Sequence, residues 1–542
     1  MHHAGRRQPP GRQAVHPHPA DPRALAAAFE RLMPELGHLS AEASDRLAVA
    51  GHGVVGAVPA HHAAQPPALL RDRLMPALPQ LVLDLCQLGP HPFRDRDAPH
   101  PKTPVPHLRA DVREVARRDK DARFTALLHH VSLTLLWRSY WAINPKAAPG
   151  VDEVTWTEYG LNLEVRLRDL HARVQQGRYR AMPSRRVYIP KADGRLRPLG
   201  IAALEDKIVQ RAVVEVLNSV YEVDFRGFSY GFRPGRKPHD ALDALAAGIC
   251  TKRVNWVLDA DIRDFFGQID HGWLRTFLRH RIADKRVLRL IDKWLAAGVI
   301  EDGEWSETQV GSPQGASGSP LLANVYLHYV LDLWVDWWRR RHAHGDVIIV
   351  RWADDFIIGF EDEQDARQML AELQQRFAKF GLQLHPEKTR LIEFGRNAAW
   401  RRRRRGLGKP ETFDFLGFTH ICGKTRNGRF MLRRITIAKR MRAKLRQAKV
   451  ELKRRRHLPI PEQGQWLRRV AQGHLNYYAV PGNTDAVRQF CKQVTKHWCK
   501  ALRRRSQRHR LTWVRMNRIA KRWLPHVRVI HPYPEARFAA RT

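Results

Sequence analysis

Two adjacent carboxylates in the middle of an apolar run constrain this chain most: residues 346–360 read DVIIVRWADDFIIGF. Residues 347–350 precede Asp354 and Asp355, and residues 356–358 follow them, all apolar. β-Branched and aromatic residues on both flanks predict two buried strands joined by a tight turn, a hairpin with the acids at its tip. Like charges side by side repel, and both resist burial unless a cation compensates. A magnesium-dependent phosphoryl-transfer site needs this arrangement. A solvated Asp-Asp turn between core strands is the simpler alternative.

Residues 254–271, VNWVLDADIRDFFGQIDH, add a second acidic strand. Strand alternation puts Asp259 and Asp261 on one face and Leu258 and Ala260 on the other. An acid at the end of this strand, beside a hairpin carrying two more, makes a three-carboxylate cluster. Hard oxygen ligands of this kind suit Mg²⁺, which keeps waters and completes its shell with substrate phosphates. Two such ions about 3.5–4 Å apart activate an attacking hydroxyl and stabilise a leaving oxygen.

The formal net charge of the 542 residues is +40, and a surplus of that size implies a polyanionic partner. No run of about 18 apolar residues is present, which excludes a membrane-spanning helix as the alternative. The N-terminus, MHHAGRRQPPGRQ, lacks the apolar core of a secretory signal. Cys86, Cys250, Cys422, Cys491 and Cys499 are scattered without a C-x-x-C pair, so neither a disulfide framework nor a zinc site is expected. The expected compartment is the cytoplasm, with nucleoid association.

Residues 1–105 are rich in Pro, His, Ala and Arg and predict a largely flexible extension. Residues 106–185 carry apolar spacing of helical period, and 186–425 mix strands with helices. Within that stretch, 318–341 predicts one long helix with Pro320 in its first turn, 363–380 an amphipathic helix, and 383–394 further strand. Arg401–Arg405 predicts a solvated loop, beside the cleft the acids would define. From about 430 to 542 the chain reads as helical, basic and interleaved with aromatics such as Trp466, Tyr477, Tyr478, Trp498, Trp513 and Trp523. Most of the aromatics are expected in the core and most of the charge on a nucleic-acid partner, RNA. The fold class is α+β.

Nine blocks in order resemble the reverse transcriptases encoded by bacterial group II introns, which also act as maturases. They are AAPGVD (147–152), RVYIPKADGRLRPLGI (186–201), LEDKIVQRAV (204–213), YGFRPGRKPHDAL (230–242), DADIRDFFGQIDH (259–271), GSPQGASGSPLLANVYL (311–327), RWADDFIIGF (351–360), HPEKT (385–389) and FDFLGF (413–418). The likeness runs from about Arg109 to about Pro534. It implies a right-hand polymerase with fingers and an antiparallel palm in 186–425, preceded by a helical fingers extension and followed by a thumb and maturase region in 426–542. GHLNYYAVPGN at 473–483 is the signature of that last region.

The resemblance also implies roles. Asp261 and Asp354 become ligands shared by two Mg²⁺ ions, for which Mn²⁺ would substitute. Asp355 is the third catalytic acid, Asp259 a structural neighbour, and Lys388 a proton donor to departing pyrophosphate. Lys191 and Arg197, on a ribbon turned by Asp193-Gly194, would grip the triphosphate. Gln314 would contact the incoming nucleotide or template, and Phe266 would exclude a 2′-hydroxyl. The implied partners are an RNA template and primer, group II intron RNA, a DNA target and dNTPs. Trp352 stands where the family has Tyr, Gly267 where it often has Asp, and Ala202-Ala203 where Pro-Thr is usual. No Cys/His-rich nuclease segment follows, so cleavage of target DNA by the chain itself is not expected. The competing functions are an idle polymerase serving only as an RNA-folding maturase, and a related enzyme recruited by its host for phage defence or DNA repair.

Overall fold

The computed structural model describes residues 106–190, 196–301, 304–306, 311, 315–425, 427–506 and 511–539. The predicted N-terminal extension, Lys191 with the Asp193-Gly194 turn, and Gln314 lie outside the described residues. The strands, in chain order, are β1 (Ser184–Pro190), β2 (Leu196–Ile201), β3 (Trp256–Asp261), β4 (Val299–Glu301), β5 (Glu304–Ser306), β6 (Val347–Trp352), β7 (Asp355–Phe360), β8 (Arg390–Glu393), β9 (Phe413–Phe415), β10 (Phe418–Lys424) and β11 (Phe430–Thr436). They form three sheets with orders β2-β1-β4-β5, β6-β7-β3-β8 and β11-β10-β9. Helices intervene between the sheets and make up most of the chain after Thr436.

The β6-β7-β3-β8 sheet is antiparallel throughout. Alternation splits its side chains between two cores. Leu258, Ala260, Phe356, Ile358 and Phe360 face one core, with Met369, Leu373 and Phe377 of the amphipathic helix Glu363–Lys379. Val257, Val350 and Ile357 face the other, with Leu242, Leu245 and Ile249 of the helix Pro238–Thr251. Burying each of these side chains other than Ala260 stabilises the fold by about 1.5–3 kcal/mol. Helix and sheet approach closely on this second side: a Cβ on Gly248 would lie 2.8 Å from Ile348 Cδ1.

The expected ribbon forms, with β1 and β2 paired antiparallel from Arg185↔Ile201 to Pro190↔Leu196. The turn at Pro149-Gly150 packs onto Ala202-Ala203, where a Cβ on Gly150 would meet Ala203 Cα at 2.5 Å. Lys207 Nζ donates to the Ala148 carbonyl at 2.8 Å and fixes the same contact. The long helix over 318–341 is present, but its winding changes: α over Ser319–Leu327, π over His328–Asp332, α again over Leu333–Arg341.

Four expectations need correction. Residues 398–404 form a short helix (Ala398–Arg404) rather than a loop. Ala398 is buried beneath it, and Glu393 and Glu411 pair with Arg405 and Arg402, relieving the like-charge repulsion that favoured an open loop. Nor does it flank the acids. β8 runs antiparallel to β3, from Arg390 opposite Asp259 to Glu393 opposite Trp256, so the arginines follow the end of the sheet remote from Asp261. Within 383–394 the strand is confined to Arg390–Glu393. The stretch after 430 begins with β11, not a helix.

The helices Ala438–Arg454, Ile460–Tyr478, Thr484–Arg503 and Trp513–Trp523 share a separate core that includes Leu452, Leu467, Phe490, Val494, Trp498 and Met516. Trp498 is fully buried and donates to Gln463 Oε1 at 2.9 Å, whereas Trp513 is exposed. The 473–483 signature is a packing device: Asn483 donates to the Tyr478 carbonyl at 2.8 Å and accepts from Thr436 N–H at 3.0 Å. Arg537 reaches back to Asp243 at 2.7 Å, and Asp243 also pairs with Arg434 at 2.6 Å. No helix among the described residues is long and apolar enough to cross a membrane.

Candidate active site

Strand register brings the acids together. Asp261, the last residue of β3, is the direct partner of Asp355, the first residue of β7. Such partners have Cα atoms about 4.5–5.5 Å apart, with side chains on the same face. Asp354 lies in the two-residue turn between Trp352 and Asp355, which are themselves partners across the hairpin. Ala353, the other turn residue, has φ +58°. A left-handed non-glycine residue costs about 1–2 kcal/mol, so the surroundings hold this turn in place.

The electrostatics show how poorly these carboxylates tolerate one another. Burial pushes Asp355 well above the usual carboxylate range, and the charges of Asp259, Asp261 and Asp354 push it further, against Arg440. Burial also raises Asp354; Asp261 adds to the rise, while the turn's own N–H, Arg197 and Lys388 oppose it. Asp259 is raised to about 6 by burial despite its ion pair with Arg390 at 3.2 Å. Arg390 thus ties Asp259 to β8, while the Asp259 charge still acts on Asp355.

The HPEKT segment is strung along the end of β3. His385 N–H donates to the Asp261 carbonyl at 2.8 Å, and Thr389 N–H closes a turn on the His385 carbonyl at 2.9 Å. Lys388, carried by that turn, pairs with the Asp261 carboxylate. Among the described residues, no three His, Cys, Asp or Glu side chains are arranged to hold a metal ion. The Asp261 carboxylate is turned to an ammonium instead. The donor set still fits hard divalent cations: three carboxylates, with Asp261 adjacent to Asp355 across a strand pair and Asp354 and Asp355 raised by burial and then by neighbouring carboxylate charge, and no soft ligand among them.

Other predicted residues divide. Arg197 is exposed on β2, close enough for its charge to act on Asp354. Asp264 adopts φ +39°, turning the chain into the short helix Phe265–Gln268. Phe265 is the core residue of the pair at 2 % exposure, and Phe266 is half-buried beside it. Gly311, with φ +98°, abuts this turn; a Cβ there would lie 2.9 Å from the Phe266 carbonyl oxygen. Arg440 and Arg390 were missed by sequence reasoning. Nothing in their spacing marks two arginines out of so many as neighbours of the acids.

Residues 189–420 match the reverse transcriptase (RNA-dependent DNA polymerase) family. The chain is 42 % identical to protein YkfC of Escherichia coli over 183 residues, 33 % of this chain and 48 % of that protein. It is 39 % identical to the group II intron-encoded protein LtrA of Lactococcus lactis subsp. cremoris over 175 residues, 31 % of this chain and 29 % of LtrA. It is also 29 % identical over 172 residues to nuclear intron maturase 2, mitochondrial, of Arabidopsis thaliana, covering 24 % and 23 %. The matches thus span about half of the first relative and under a third of the second.

Proposed function

We propose that this chain, which carries a reverse transcriptase domain over residues 189–420, is an RNA-directed DNA polymerase that also binds group II intron RNA and assists its splicing and mobility. The observation that carries this reading is the pairing of Asp261 with Asp355 beside the Asp354 turn. On this reading the β6-β7-β3-β8 sheet is the palm, the β1–β2 ribbon with residues 106–185 the fingers, and residues 426–542 the thumb and maturase region.

Asp261, Asp354 and Asp355 would hold two Mg²⁺ ions, or Mn²⁺ in their stead. Bound there, the ions would activate the primer hydroxyl and stabilise the leaving oxygen. The chain's own residues orient and select. Arg197, joined by Lys191, clamps triphosphate oxygens with fixed donors. Phe266 closes the space that a 2′-hydroxyl would need. Gln314 touches the incoming nucleotide or the template. Lys388 holds a proton beside Asp261 and gives it to the departing pyrophosphate. The partners are an RNA template and primer, intron RNA, dNTPs and a DNA target, met in the cytoplasm.

The test is primer extension on an RNA template by Asp354→Asn. DNA synthesis should be abolished while RNA binding persists; sustained synthesis would falsify the assignment. A splicing assay with the same variant separates maturase from polymerase, since intron folding does not require the carboxylate.

A further inference from the structure

Beneath the acid-bearing turn lies a fully buried ion pair that the polymerase reading does not use. Arg351 and Asp332 both have 0 % side-chain exposure and pair at 2.6 Å, with a second bond from Arg351 Nε at 2.8 Å. The remaining guanidinium nitrogen, Nη1, donates to the Ala353 carbonyl at 2.9 Å and to Asn324 Oδ1 at 3.1 Å. Asn324 in turn donates to the Gly231 carbonyl at 2.8 Å. Gly231 presses on the same turn, where a Cβ would come within 2.3 Å of Ala353 N. The backbone of Arg351 is held on its outer side as well, accepting from Tyr230 N–H and donating to the Phe228 carbonyl, each at 2.9 Å.

A buried ion pair is a poor device for stability, because apolar residues of similar volume serve as well or better. Its geometry accounts for it differently. Ala353 is in the left-handed region and would relax if nothing held its carbonyl. The π turn His328–Asp332 sets Asp332 where it meets the guanidinium, and single π turns of this kind recur at functional sites. We infer that Arg351, braced by Asp332 and Asn324, is a positioning residue that fixes the Ala353–Asp354 turn and so the carboxylates of Asp354 and Asp355. This rests on the polymerase reading above, and it adds to that reading a set of residues that touch neither substrate nor metal.

Removing one partner would strand a buried charge and threaten folding. The informative variant is therefore the double substitution Arg351→Met with Asp332→Leu, which removes both charges and the bond to Ala353. Its melting transition and RNA binding should match those of the parent chain. Its kcat for primer extension should fall about 100-fold through misplacement of the acids, with KM for the nucleotide unchanged. Mn²⁺ binding, followed by electron paramagnetic resonance without nucleotide, should weaken in step. A merely structural pair would leave Mn²⁺ affinity and the ratio of kcat to KM untouched in a folded variant. If the double variant does not fold, Arg351→Lys keeps the charge but cannot reach both Asp332 and Ala353, and the same losses are expected of it. Parental kcat and Mn²⁺ affinity in whichever variant folds would overturn the inference. Asp354→Asn, run alongside, separates the failures: if it still synthesises DNA, the polymerase reading falls and this inference with it. If it is dead while the Arg351 variant is fully active, only this inference falls.

Discussion

Phe266 owes its proposed part to a division of labour with Phe265. One ring fills the core, which leaves the other half-exposed at the mouth of a strained turn. Phe266→Ala should therefore leave folding intact while discrimination between dCTP and CTP falls about 10- to 100-fold, measured as the ratio of kcat/KM values. Which of the two would be core was not readable from adjacent identical residues. The turn at Asp264 decides it, and a positive φ at an Asp leaves no trace in hydrophobic pattern. Asp354 and Asp355 were legible because charge amid β-branched residues is rare and because alternation fixes faces. Arg351 was invisible for the opposite reason. An arginine in a strand resembles a solvent-facing residue, and its partners Asp332 and Asn324 sit on another element.

The small sheet β9–β11 carries a pH dependence. His420 on β10 stacks against Phe413 of β9 at 4.7 Å, and burial lowers its pKa to about 3. The nearby Arg434 charge lowers it too. The folded pKa lies below the ordinary 6.5, so the unfolded chain takes up the proton first. The stabilisation is complete above about pH 6.5 and is lost as pH falls from there toward 3. At pH 5 the loss from this one ring is about 2 kcal/mol. Urea unfolding at pH 7.5 and pH 5 should show it, and His420→Phe should flatten that part of the curve. His328 and His474, lowered to about 3 and about 4 by burial, add in the same direction. Element existence was legible wherever periodicity ran long, as in 363–380. The Arg401–Arg405 run misled because seven residues are too few to set a period, and what holds them helical is a buried Ala398 and two distant glutamates.

At the scale of the whole molecule, a net charge of +40 makes salt the main variable in the RNA binding proposed above. Arg403 and Arg404 stand exposed, with Arg404 stacked 4.8 Å over Trp400. Replacing both with Ala should shallow the plot of log affinity for single-stranded RNA against log salt by about 1.4, without touching DNA synthesis at low salt. An unchanged slope would mean these arginines meet no phosphate. The return of Arg537 to the helix Pro238–Thr251 has a consequence in time. Its carboxylate partners on that helix, Asp240 and Asp243, leave the ribosome almost 300 residues earlier, the separation from Asp240 being 297. At about 5–20 residues per second that interval is about 15–60 s. Through it, one face of the central sheet's helix waits for the counter-ion that Arg537 brings.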